Sequence, residues 1–255
     1  MPQPLSKVVR TGLSIILAPD HGASRQPELG ALVARAIALC ANSDYNLGLA
    51  FVGMLKTEAA PAFAIYDALR WSYSKTQALR ASSKIVLSEH DHRIFEALLK
   101  LFAEDEKQRN KFAHWIWAYC DNAPDYLVLV DPIDPLRWKA SVAHIPPGTS
   151  GQMRIGVKEA LNISGWMERA DCYSKPELEH IVERFADTNS LIAAFRNLMD
   201  YSALYAAPED ELRSNLLSRP RLAQMLLQLG HQSGQIQSTP STPDAQPGKF
   251  PRAWR

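Results

Sequence analysis

A chain of 255 residues, 46% hydrophobic and 22% charged, can bury a substantial core and has the composition of a globular protein. Its formal net charge of +1 excludes a polybasic protein that coats nucleic acid through bulk charge, so any contact with RNA must come from a local patch. No apolar run approaches the ~20 residues that a membrane span requires, and no membrane partner is expected.

Residues 1–24 read as an N-terminal segment. Its apolar run, Leu13 to Ala18, follows Lys7 and Arg10 but is too short for a signal-peptide core, and it leads into Pro19-Asp20 without a small-x-small cleavage site. The three cysteines, Cys40, Cys120 and Cys172, are spaced for neither a disulfide framework nor a zinc quartet, which fits a reducing cytoplasm.

From 25 to 122 the apolar positions recur with helical period and predict a bundle of four or five helices. Leu29, Leu32, Val33, Ala36, Ile37 and Cys40 form one stripe, with Pro27 tolerated in its first turn. Ser43, with Asn46 three residues on, is placed to cap a second helix carrying Leu47, Phe51, Met54 and Leu55 and stopping before Pro61. A third apolar segment runs from Phe63 to Leu79 and on toward Val86. Ser88 with Asp91 opens a further helix whose Ile94, Phe95, Leu98, Leu99 and Phe102 make a wide apolar face, and the helical period continues to Tyr119.

Residues 123–173 read as a small β-hairpin and an irregular segment. Tyr126 to Val130 is β-rich, Asp131-Pro-Ile-Asp-Pro135 is a turn, and Trp138 to Val142 is the returning strand. Residues 144–173, broken at Pro146-Pro147-Gly148 and Gly151, are assigned no regular structure. Helix returns over 174–230: Ser174-Lys-Pro-Glu177 is a capping box ahead of Leu178, Ile181, Val182, Phe185, Ile192, Phe195 and Leu198, and a shorter helix from Leu222 to Leu229 ends at Gly230. From 231 to 255 Ser, Thr, Pro, Gln and Gly dominate, and a disordered tail is expected. The expected fold class is mainly α, a four- to five-helix bundle with a small hairpin and a C-terminal helical extension.

One segment reads as chemistry. Arg109-Asn110-Lys111-Phe112-Ala113-His114 places a permanent cation and a titratable imidazole on one helix. By chance a bare R-x4-H is expected about 0.5 times in such a chain, and with Asn directly after Arg about 0.015 times. Asn110 and His114 share a helix face one turn apart, whereas Arg109 lies about 140° around from His114, near enough for a long side chain to lean into the same cavity.

At these residues the chain resembles the HEPN superfamily, helical domains whose R-x4-6-H motif, often with a polar residue after the arginine, sits near the start of the last core helix. The resemblance covers about residues 25 to 122. It implies a HEPN-like bundle and a homodimer that cleaves RNA without a metal or other cofactor, two copies of the motif facing each other across the two-fold axis. Arg109, Asn110 and His114 would then be the catalytic set: His114 carries protons, Arg109 stabilises phosphate charge, Asn110 orients. The residue types agree with that chemistry, because RNA supplies its own 2′-hydroxyl nucleophile and needs only a proton carrier and a fixed cation. In the toxin variant of the family a tyrosine two residues past the histidine is modified by a partner nucleotidyltransferase; here Ile116 stands there, and that control is not implied.

Between Asp67 and Glu89 the charges are Arg70, Lys75, Arg80 and Lys84 with no acid, and with Lys111 these are the candidate RNA contacts. A solvated helix face explains the same run. Trp71 and Tyr73 can stack bases, although aromatics so spaced more often belong to a core. Arg109 can instead pair with Asp105 or Glu106 on its own helix, and His114 can simply be hydrogen-bonded beside Trp115 and Trp117. His90-x-His92 lacks a third ligand, so no metal is expected. The favoured expectation is a metal-independent endoribonuclease of a bacterial defence or toxin system, with an antitoxin or regulatory partner. The alternative is a non-catalytic HEPN-like dimerisation or RNA-binding module. A nucleotide-binding helical protein has no P-loop or G-x-G-x-x-G in its favour.

Overall fold

The computed structural model describes residues 2–9, 15–17, 24–132, 169–199 and 209–236. In chain order these form β1 (Gln3–Pro4), α1 (Leu5–Val8), β2 (Ile15–Leu17), α2 (Pro27–Leu55), α3 (Ala59–Ala68), α4 (Ser72–Val86), α5 (Glu89–His114), β3 (Ile116–Cys120), β4 (Tyr126–Val130), β5 (Asp171–Ser174), α6 (Lys175–Met199), α7 (Glu209–Leu217) and α8 (Pro220–Ile236). The protein is mainly helical with one small antiparallel sheet, and among the described residues no helix is long and apolar enough to cross a membrane.

The two helices expected between Pro27 and Leu55 are one. Ser43 does not cap a new helix; its hydroxyl donates back to the Leu39 carbonyl at 3.0 Å in mid-helix. Nearby, Asn42 and Asn46 donate to Asn189 of α6 at 3.1 and 3.2 Å, so the polar residues that resemble a cap instead bind α6 along α2. Gly48 serves close approach: a Cβ there would lie 2.9 Å from Phe63 and 3.0 Å from Tyr66 of α3. Conversely, the single apolar segment expected from Phe63 to Leu79 is two helices, because Trp71 is extended (φ −100°, ψ 131°) and breaks the run.

Ser88 caps α5 as its spacing predicts, accepting the Asp91 amide at 3.1 Å. The helix stops at His114 rather than running on to Tyr119. Its end is satisfied by the Trp115 amide on the Lys111 carbonyl at 2.9 Å and by Trp117 Nε1 on the Phe112 carbonyl at 3.0 Å. The aromatic and branched residues that follow form β3, which pairs with β4 from Ile116↔Val130 to Ala118↔Val128. A hairpin therefore exists, but the strand paired to β4 is upstream of it. The returning strand expected at Trp138 to Val142 lies outside the described residues, and the other edge of β4 is taken by β5, from a stretch assigned no structure. The sheet order is β1-β5-β4-β3-β2, with the apolar run near the N-terminus supplying an edge strand.

Alternation along β4 divides two cores. Leu127 and Leu129 join the helical core, whereas Val128 and Val130 meet Leu5, Val9, Ala118, Cys120 and Cys172 beneath α1. The three cysteines are buried free thiols. The bundle is completed by α6, whose Phe195 stacks on Phe95 of α5 at 5.0 Å between ring centres. Half of the predicted capping box is present, Ser174 donating its amide to Glu177 at 3.0 Å. Gly230 does not end the last helix, which continues to Ile236, so the tail expected from 231 begins in helix; residues 237–255 lie outside the described residues.

Asp91, buried at the start of α5, receives Arg213 of α7 through Nε at 2.9 Å and Nη2 at 3.1 Å. Burial raises the carboxyl, but the bonds from Arg213 and Ser88 outweigh it and hold the group below its ordinary value. A carboxyl lowered by folding contributes stability that is present above its unfolded pKa and lost as pH falls through the folded value. Asp91→Asn is expected to lower stability at neutral pH and to flatten the acid limb below about pH 4. Urea midpoints measured from pH 7 to pH 2.5 check this; parallel curves for variant and parent would contradict it.

Candidate functional site

The last turns of α5 present two separate faces. On one, Phe102, Glu106, Arg109 and Ala113 line a cleft of about 340 Å³ against Cys40 and Asp44 of α2 and Arg70, Ser72 and Lys75 around the start of α4. The spacing of three, four and seven residues along α5 explains why these side chains align.

Within the cleft the cations are unequally committed. Arg109, 31% exposed, has Nη2 3.8 Å from Glu106 Oε1, so the same-helix ion pair open to it in the sequence does form. Glu106 also accepts the Ser72 hydroxyl at 2.6 Å. Lys75 reaches Asp44 at 2.8 Å and lies over the Tyr66 ring at 4.6 Å, while the Tyr66 hydroxyl donates to Asp44 at 2.8 Å. Burial, and then the charge of Asp44, push the Tyr66 phenol well above its usual range, so it remains a donor. Arg70, exposed at the mouth, has no ion-pair partner among the described residues. Cys40 is buried on the wall; burial raises its thiol against the opposing pull of Arg109, which makes it a poor nucleophile at neutral pH.

The other face of α5 carries Asn110 and His114, both exposed, with Lys107 and Lys111 beside them. The helix therefore divides the hexamer: Arg109 enters the cleft, and Asn110 and His114 face solvent. His114 is not among the residues that line the cleft with Arg109. Lys111 is held by Asp171 at 2.6 Å and by the Trp115 ring at 4.6 Å.

Of the other basic residues singled out in the sequence, Arg70 and Lys75 reach the cleft. Arg80 is instead held by Glu96 at 3.0 and 3.2 Å, and Lys84 is exposed one turn further along α4. Trp71 and Tyr73 are not core residues, being 76% and 75% exposed. His92 Nδ1 meets the Ser83 hydroxyl at 3.0 Å, and among the described residues no group of three His, Cys, Asp or Glu side chains is placed to hold a metal. Sequence reading missed Asp44 and Ser72 as cleft residues. Neither has a local signal, since each meets α5 only because α2 and α4 pack there.

Compared with models of known protein families, with curated proteins and with solved structures, the chain matches none of them.

Proposed function

We propose that the cleft binds the phosphodiester backbone of RNA and that two copies of the chain together act as a metal-independent endoribonuclease. The observation that carries this reading is the division of α5: Arg109 lies in a cleft with Arg70 and Lys75, while His114 of the same helix is exposed and turned to another face. A site that uses both needs a second copy, which is what the resemblance to HEPN domains implies. In the reaction the RNA 2′-hydroxyl loses its proton to one imidazole and its oxygen bonds to the adjacent phosphorus. The bond from phosphorus to the 5′-oxygen breaks, and that oxygen takes the proton back from the same imidazole. The products are a 2′,3′-cyclic phosphate and a 5′-hydroxyl, and Arg109 balances the charge on the phosphorane between them. Asn110, one turn from His114, orients the imidazole or the phosphate.

Incubation of the full chain with mixed RNAs in EDTA tests the proposal. Cleavage is expected, and His114→Ala and Arg109→Ala are each expected to slow it by about 10²–10⁴-fold while folding normally. The ion pairs of Arg109 and Lys75 with Glu106 and Asp44 favour a second reading, an RNA-binding module without catalysis. Its signature is salt-sensitive RNA binding by a wild-type chain that cleaves nothing. A cytoplasmic defence or toxin role with a regulatory partner follows only from the resemblance, and Ile116 directs the search to partners other than a tyrosine-modifying enzyme.

A further inference from the structure

We infer that the RNA taken by the cleft is single-stranded, its unpaired bases stacking on Trp71 and Tyr73 at the rim while Arg70 holds a phosphate. This rests on the RNA reading of the cleft and specifies its substrate. Trp71 and Tyr73 are the most exposed aromatic side chains among the described residues, at 76% and 75%, and they flank Ser72, which lines the cleft. A lone exposed ring is unremarkable on a protein surface, but two within three residues beside a cationic cleft form a platform.

The backbone explains the placement. Arg70 and Ser72 line the cleft, whereas Trp71 between them, extended in its backbone, is not among the lining residues and is 76% exposed. Tyr73 begins the first turn of α4 beside it. A strand whose phosphate meets Arg70 passes the indole with its neighbouring nucleotide. Arg70 has no ion-pair partner among the described residues, whereas Lys75 is tied to Asp44 at 2.8 Å and Arg109 lies 3.8 Å from Glu106, so the rim cation is the least committed of the three to a partner of its own. Ring and cation together fit a ligand with alternating flat faces and negative charge. Duplex RNA lacks that match, because its bases are paired and stacked internally, whereas unpaired bases can be splayed onto aromatic rings.

Fluorescence anisotropy with a short labelled RNA, alone and annealed to its complement, tests this in the His114→Ala background, where the strand stays intact. The single strand is expected to bind at least about tenfold tighter than the duplex. Trp71→Ala and Tyr73→Ala should each weaken it by about tenfold, and Trp71→Phe should retain most of the affinity. Arg70→Ala should reduce the slope of log affinity against log salt by about 0.7, the loss of one phosphate contact. Equal binding of duplex and single strand, or undiminished binding by both alanine variants, overturns the inference; undiminished binding is also the result if the rings serve a protein partner. Cleavage by the wild-type chain is read separately. Nuclease activity with indifferent rings refutes this inference alone, and ring-dependent binding without cleavage supports it while refuting the nuclease.

Discussion

The Asp105→Ala variant is expected to lose about 3–5 kcal/mol of folding stability, the range found when one partner of a buried charge pair is removed. Asp105 is 2% exposed in the middle of α5 and joins three helices. Thr188 of α6 donates to Oδ2 at 2.5 Å, Arg221 Nη2 of α8 lies 3.3 Å from Oδ1, and Arg184 Nε of α6 lies 3.0 Å from Oδ1, paired by charge but not aligned for a hydrogen bond. Arg221 also binds Thr188 and donates to the Arg184 carbonyl at 2.7 Å, so the four side chains form one connected unit. Burial raises the Asp105 carboxyl, against the opposing pull of Thr188, Arg221 and Arg184. Alanine leaves two half-buried guanidinium groups facing an apolar void. Asp105→Asn keeps the volume and one acceptor and should cost less, about 1–3 kcal/mol. Urea unfolding followed by circular dichroism separates the two. A loss below about 1 kcal/mol for alanine would mean that water or Glu104 takes over the carboxylate's role.

The second large effect concerns the division of the motif between two faces of α5. If Arg109 of one copy works with His114 of another, Arg109→Ala and His114→Ala preparations should each be nearly inactive and should regain activity when mixed and allowed to exchange subunits. Random pairing makes half the dimers mixed, and each mixed dimer keeps one intact site of two, so recovery approaches about a quarter of wild-type cleavage. No recovery, with exchange confirmed by a size or tag assay, would show that the two residues do not act across an interface. The experiment reports on the arrangement rather than on either residue alone, because a contaminating nuclease would not respond to mixing.

Local signals proved legible where the chain closes its own hydrogen bonds. Ser88 and Asp91 mark the start of α5, Ser174 and Glu177 mark that of α6, and the apolar stripes of α2, α5 and α6 contain most of the core residues that the structure buries. They misled where a polar residue had a distant partner. Ser43 and Asn46 resemble a cap in sequence, but their environment is Asn189, more than 140 residues away. Trp115 to Tyr119 continue a helical apolar period, yet a strand there can pair with both β2 and β4, and two ladders outweigh about one and a half more helical turns.

By itself the chain determined that a helical protein would form and that Arg109, Asn110 and His114 would sit on one helix, since periodicity and capping act over a few residues. Only the tertiary structure decided which face each would occupy. The cleft around Arg109 is assembled from residues between Ile37 and Ala113 that meet when α2, α4 and α5 pack, and it takes in the arginine while leaving the histidine in solvent. The 100° step of the helix sets the angle between them; the packing of other helices against one side determines which of the two is enclosed.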